Sequence, residues 1–138
     1  MLLVVASVEP SFGGPAIVAR HLAGALRAVG IQPVVAGAGT NASGLPPGSL
    51  ALGRVGAFHG TPLPRRMGPL LAMVKQVDVV HVLGLRDPVG TAAALTAGRA
   101  GVPVLVEPTG MHRRRFRSRT LKAAFDRALG NRLLANAA

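Results

Sequence analysis

The chain has 138 residues, room for one domain, and 49% of them are hydrophobic, enough apolar material to bury a core. Aromatics are only 3%, four Phe with no Trp or Tyr, so the core must be built from Val, Leu, Ile and Ala, a palette suited to parallel strands covered by helices. The formal charge of +11 points towards anionic partners, although 14 of the 16 basic residues are Arg and a codon bias accounts for that composition equally well. The absence of cysteine excludes a disulfide framework, a thiolate metal site and a thiol nucleophile.

The opening MLLVVASVEP is apolar, but it has no basic n-region and its apolar run is short for a signal peptide or a spanning helix. A cytoplasmic protein that begins on a buried strand is expected. Residues 2–6 form that strand and run into Ser7-Val8-Glu9-Pro10. Gly13-Gly14 and Pro15 follow, and Ile17, Val18, Leu22, Ala25, Leu26 and Val29 then recur at helical spacing, with Gly30 as the left-handed cap. The unit is strand, glycine loop, helix.

Residues 33–36 make a second short apolar run. The Gly- and Pro-rich stretch 37–64 shows no clear periodicity, with room for a brief strand near 50–55. A helix is predicted over 67–77 and a strand over 78–83, DVVHVL. Asp87-Pro88 suits the N-cap and first turn of a helix running to Ala100, which Gly101 closes. Residues 102–106 form another strand, broken by Pro108 and Gly110. A basic segment then leads into a last helix over 118–135.

This alternation of strands and helices predicts an α/β domain spanning 1–138: a Rossmann-like open parallel sheet with helices on both faces. Ligands of such sheets bind beyond the carboxyl ends of the strands.

Three loops at strand carboxyl ends carry the candidate site residues. In the first, Gly13 and Gly14 allow positive φ and close backbone approach, and the following helix offers free N–H groups to an anion; the commoner use of Gly-Gly before a helix is a plain turn. In the second, His81 lies within an apolar strand, where a lone histidine is more often a hydrogen-bonded core residue, and Gly84 and Arg86 follow it. The three are expected to project towards the crevice edge that holds Gly13-Gly14. The third is Glu107-Pro108-Thr109-Gly110-Met111-His112, followed at once by Arg113, Arg114, Arg115, Arg117, Arg119 and Lys122. A helix start is an unfavourable place for so much positive charge unless an anion binds there.

Two other chemistries fit poorly. Gly37-Ala38-Gly39-Thr40-Asn41-Ala42 matches a dinucleotide fingerprint, but Ser43-Gly44-Leu45-Pro46-Pro47 follows where a helix should open, so no nicotinamide site is expected. The histidines at 21, 59, 81 and 112 form no i, i+4 pair, and no metal site or bound cofactor is expected.

Three segments together resemble the N-terminal domain of family 4 retaining glycosyltransferases of the GT-B fold. PSFGGPAIVARHLAGALRAVGIQPVV is similar to the family's glycine loop, long helix and second strand. DVVHVLGLRDPVGTAAALTAGRAGVPVLVEPTGM is similar to its strand ending in His, helix, and strand with a Pro-x-Gly loop. RSRTLKAAFDRALGNRLL looks like the next helix in members acting on lipid-linked or cell-envelope saccharides.

The resemblance implies sugar transfer from a nucleotide-diphosphate donor, as co-substrate, to a saccharide or lipid-linked acceptor, with retention and without a catalytic metal. It implies that this domain holds the acceptor and that Gly13-Gly14 approaches the diphosphate or acceptor. Gly13, Gly14, His81, Arg86, Thr109, Gly110, His112 and Arg113 are then the binding candidates, with peripheral contact at the inner membrane face. Many relatives carry a histidine where this chain has Thr109, so the resemblance assigns no catalytic residue. The donor-binding C-terminal domain has no counterpart among these residues, and the chain alone is expected to be an incomplete GT-B N-terminal domain with little or no transferase activity. The alternative is a small basic protein that binds nucleic acid or an anionic membrane surface; against nucleic acid stands the scarcity of aromatic stacking platforms.

Overall fold

The computed structural model describes residues 1–58, 60–84, 86–108 and 123–130. Five strands form one parallel sheet: β1 (Leu2–Ser7), β2 (Val34–Ala38), β3 (Leu50–Ala51), β6 (Val80–Leu83) and β7 (Val104–Glu107). Their order across the sheet is β3-β2-β1-β6-β7. The fold is therefore the Rossmann-like α/β class expected from the alternation of elements. Among the described residues α1 (Gly14–Ala28), α2 (Gly68–Val74) and α3 (Pro88–Ala100) cover it.

β1 is central, and the period of two along a strand sends its side chains into two separate cores. Leu2 and Val4 pack with Val80, Val82 and Val104 beneath α2 and α3, where Leu70, Val74, Val89 and Ala93 are fully buried. Leu3 and Val5 pack with Val35 and Leu83 beneath α1, through Ala19 and Ala23. Helices thus lie on both faces. With so few aromatics available, closeness of approach does the work that large side chains do elsewhere. α1 buries Ala16, Ala19 and Ala23, and α3 buries Gly90, Ala93, Ala94 and Ala97.

The helix ends follow the predicted chemistry. Asp87 caps α3, its side chain accepting a hydrogen bond from the Gly90 N–H at 2.7 Å, and Gly101 closes the helix at φ +70. Gly30, just past α1, sits at φ +84. Other boundaries moved: β2 runs on to Ala38, α2 ends at Val74, and β6 begins at Val80. The stretch 37–64 holds more order than its composition suggests. Beside β3, an antiparallel hairpin of β4 (Gly56–Phe58) and β5 (Thr61–Leu63) folds there, with Gly60 at φ +82 near its tip. Gly56 and Pro62 give these strands little β-propensity, and β4 is exposed along its length, so no alternating apolar pattern marks them. Of the helix predicted over 118–135, residues 123–125 are α-helical and Asp126–Gly130 π-helical; the rest lies outside the described residues.

The glycines of the dinucleotide-like run serve packing between strands. A Cβ on Gly37 would lie 2.6 Å from the Val5 carbonyl oxygen, and one on Gly39 would lie 2.7 Å from Val8 Cγ2. β2 ends at Ala38 and a loop follows it, so the run opens no helix. Because the obstacle at Gly37 is backbone, Gly37→Ala should destabilise the fold by about 1–3 kcal/mol. Chemical denaturation of the two proteins would measure the difference, and equal stability would mean that β1 and β2 are free to separate.

Candidate functional site

The direction of strand addition reverses between β1 and β6. From β1 the chain builds outward through β2 to β3, and from β6 it builds the other way to β7. At such a reversal in an open α/β sheet the loops leaving the two neighbouring strands diverge, and ligands bind beyond the strands' carboxyl ends. The glycine loop leaves β1, and the segment holding Gly84 and Arg86 leaves β6.

The glycine loop is shaped by a short 3-10 turn, Pro10–Phe12, in which the Phe12 N–H donates to the Glu9 carbonyl at 3.0 Å and the Gly13 N–H to that of Pro10 at 3.1 Å. Gly13 then takes φ +109, a conformation that side-chain-bearing residues rarely adopt, and Gly14 starts α1. A Cβ on either glycine would meet nothing within 4 Å, so open space stands over both. No side chain caps α1, and its first turn holds no acidic residue. The positive end of the helix dipole is thus left without a negative partner from these groups.

Neighbouring groups brace this loop. Glu9 Oε1 accepts from the Thr40 N–H at 2.9 Å and from the Thr40 hydroxyl at 3.1 Å, joining the loops after β1 and β2. The Thr40 backbone bond holds the Glu9 carboxyl below its usual range, helped by the Thr40 hydroxyl and the positive charge of Arg54, against a smaller effect of burial. Arg54 lies over the Phe12 ring, 5.0 Å from its centroid. Arg20 of α1 donates to the Ser43 and Val8 carbonyls, tying helix, strand end and loop together. Sequence reasoning missed Arg54 as a cation beside the glycine loop. It falls in the stretch without periodicity, and only the chain's return past Phe12 brings it there.

On the β6 side the residues divide between the two faces of the sheet. His81 is the second residue of β6, paired in register with Leu3 and Leu105, and so lies on the α1 face. Its Nε2 is 3.6 Å from Glu107 Oε2, and its side chain is largely buried. Burial pushes the His81 pKa down, and the Glu107 carboxylate partly opposes the shift. The position within the strand, rather than at its end, puts His81 below the crevice edge expected for it.

Gly84, Arg86 and Asp87 lie on the other side, around a cavity of about 10 Å³ that Val82, Gly90, Thr91 and Val106 also line, space for one water-sized guest. The Gly84 N–H donates to the Glu107 carbonyl at 2.8 Å, holding the ends of β6 and β7 together. Arg86 takes φ +69, the one positive value at a non-glycine position among the described residues. Its guanidinium meets Asp126 bidentately, Nε to Oδ1 and Nη2 to Oδ2, both at 2.9 Å. Burial raises the Asp87 pKa, opposed by the N–H groups that it caps. The Thr91 hydroxyl is buried with no hydrogen-bond partner.

Comparison with protein-family models, with curated proteins and with solved structures finds no match. The site is therefore read from its own geometry. Gly13 and Gly14 stand in the loop leaving β1 at the start of α1, Arg86 in the loop leaving β6, and His81 on the α1 face. Thr109, Gly110, His112 and Arg113 lie outside the described residues, as does the rest of the basic run up to Lys122. Among the described residues no helix is long and apolar enough to cross a membrane.

The buried histidine gives a pH signature. Because its folded-state pKa is depressed below the ordinary 6.5, the unfolded chain takes up the proton first. The stability that His81 contributes is complete above 6.5 and is lost as pH falls from there towards the folded-state value. Thermal unfolding at pH 7.5 and 5.5 should show a smaller acid loss in His81→Gln than in the parent protein. An identical loss in both would place the titrating group elsewhere.

Proposed function

We propose that this chain is the acceptor-side half of a GT-B glycosyltransferase of the retaining type, and that the crevice between β1 and β6 receives a phosphate-bearing group of the donor or of a lipid-linked acceptor. The observation that carries the reading is the glycine loop at the reversal of strand order. Gly13 is at φ +109, the space over Gly13 and Gly14 is open, and the helix that follows is uncapped by any side chain. An anion there gains both N–H groups and the helix dipole. The sequence segments that resemble the family lie on the same elements: the first spans the glycine loop, α1 and the start of β2, and the second spans β6, α3 and β7. A net charge of +11 adds long-range attraction for such a ligand.

In this reading the domain binds and orients, and the donor-binding residues belong to a second domain whose motifs these 138 residues do not contain. Arg54, at the edge of the glycine loop, is a further cation available to a phosphoryl oxygen. Titration calorimetry with uridine diphosphate and with inorganic pyrophosphate tests the reading. Binding should weaken by about tenfold in Gly13→Ala, because a Cβ disfavours the φ that the loop needs. The purified chain should transfer no sugar from a nucleotide-sugar donor to a lipid-linked acceptor. Failure of the parent chain to bind either diphosphate would remove the basis of the proposal, and binding of short DNA with a steep salt dependence would favour a nucleic-acid partner instead.

A further inference from the structure

The charge of the chain is unevenly placed. Between Glu9 and Asp78 the sequence holds no acidic residue, while Arg20, Arg27, Arg54, Arg65, Arg66 and Lys75 fall in that interval. Three of these cations gather at the base of the β4–β5 hairpin. The Arg65 and Arg66 N–H groups both donate to the Leu52 carbonyl, at 3.1 and 2.9 Å, which lays the chain after β5 against the chain before β4. A Cβ on Gly53 would lie 2.9 Å from Arg65 Cβ, which sets Arg54, the next residue, close beside Arg65. Arg54, Arg65 and Arg66 are exposed, and none of them takes part in an ion pair among the described residues. Glu9, whose carboxyl feels the charge of Arg54, is held by Thr40.

From this base the hairpin carries apolar side chains outward. Arg54, Val55, Gly56, Ala57 and Phe58 are exposed in succession, Val55 at 65% and Phe58 at 56%. Single apolar residues on a surface are ordinary. These two stand on opposite faces of a ribbon whose outer strand buries neither face, so the ribbon is a wedge and not one side of a packed layer. Its pairing with β5 goes through backbone groups and does not call for a valine and a phenylalanine there. The mount is firm, because Pro62 is buried, β5 touches β1, and Leu52, which anchors both arginine N–H groups, is 2% exposed. A firmly mounted wedge loses little freedom when it binds.

We propose that the β4–β5 hairpin docks the protein on an anionic lipid surface, with Val55 and Phe58 entering the boundary between headgroups and acyl chains while Arg54, Arg65 and Arg66 meet the lipid phosphates. An apolar edge flanked by cations is suited to that layer, and each cation adds attraction to a negatively charged leaflet. A guanidinium grips phosphate with two prongs and is more weakly hydrated than an ammonium, so it gives up water at lower cost. A nucleic acid would reward the arginines but not the wedge, since the side chains of Val55 and Ala57 offer neither a hydrogen bond nor a stacking surface. Docking also has a consequence for the candidate site. Arg54 lies 5.0 Å from the centroid of the Phe12 ring, so the hairpin base adjoins the glycine loop, and the open space over Gly13 and Gly14 is held near the headgroup layer. The inference stands on the surface itself and does not require the chain to transfer sugar.

The test is co-sedimentation of the whole chain with vesicles of phosphatidylglycerol and phosphatidylcholine in equal parts, and with phosphatidylcholine alone. The parent should bind the mixed vesicles about tenfold more strongly than the neutral ones, and less as salt rises. Arg65→Gln/Arg66→Gln, which leaves Arg54 in place beside the glycine loop, should weaken binding about thirtyfold, and Val55→Ser/Phe58→Ser about tenfold. Because the altered side chains are exposed, both variants should unfold at the temperature of the parent. The chain has no Trp, so Phe58→Trp supplies a reporter. Its emission should shift to the blue on the mixed vesicles and be quenched by lipids brominated on their acyl chains.

Vesicle binding that leaves the Phe58→Trp emission unmoved, or that persists at full strength in both double variants, would place the contact on other basic residues and overturn the proposal. So would failure of the parent to bind the mixed vesicles, or binding of short DNA that displaces the vesicles and is unaffected by Val55→Ser/Phe58→Ser. Self-association without lipid that the same variant abolishes would make a second copy the occupant and overturn it equally. Diphosphate calorimetry tests the glycine loop with no lipid present, so either reading can fail while the other stands.

Discussion

Everything in this fold hangs on β1 being buried on both faces. Its side chains alternate between two cores, Leu2 and Val4 on one side and Leu3 and Val5 on the other, and all four are fully enclosed. At roughly 1.5–3 kcal/mol for each large aliphatic side chain taken out of water, this strand alone brings a sizeable share of the stabilising burial. It can do so only if strands flank it on both edges and helices cover it on both faces. The order β3-β2-β1-β6-β7 meets that requirement, with α1 on one face and α2 and α3 on the other.

The same constraint creates the crevice. A central strand with neighbours added in both directions must have a point where the connections part, and in open sheets ligands bind beyond the strands' carboxyl ends there. Small residues are concentrated around that point for mechanical reasons. Gly37 and Gly39 let β2 and its loop lie against β1, Gly90 lets α3 settle on Val82, and Gly13 turns the chain into α1. Close packing below and open backbone above arise from one compositional choice, the use of Gly and Ala where other proteins place aromatics.

Charge is distributed against this neutral framework. The described carboxylates near the crevice are all engaged: Glu9 by Thr40, Asp87 by the first turn of α3, Asp126 by Arg86, with Glu107 beside His81. Nothing acidic remains in the first turn of α1. The N–H groups at the glycine loop, the helix dipole and Arg54 add positive potential there, beside the Glu9 carboxylate that Thr40 holds. The Arg86 side chain is largely enclosed, and the Asp126 carboxylate meets its charge there.

Local chemistry in the sequence was enough for the elements that carry their own signals. Asp87-Pro88 and Gly101 marked both ends of α3, the threes-and-fours pattern marked α1, and short Val-rich runs marked β1, β6 and β7, so the α/β class was legible along with the glycine loop. These signals are local because capping, helix periodicity and strand alternation involve residues within a few positions of each other. The β4–β5 hairpin was not legible, since β4 is exposed along its length, β5 fully buries Pro62 alone, and the two pair through backbone groups that every sequence possesses. Nor was the placement of His81 on the α1 face, which depends on its register with Leu3 and Leu105. The long-range contacts beside these loops, Arg54 over Phe12 and Asp126 on Arg86, are 42 and 40 residues apart in sequence. No local pattern encodes such contacts; they exist only once the sheet order brings the loops to one edge, and that order is decided by which packing buries β1 on both sides.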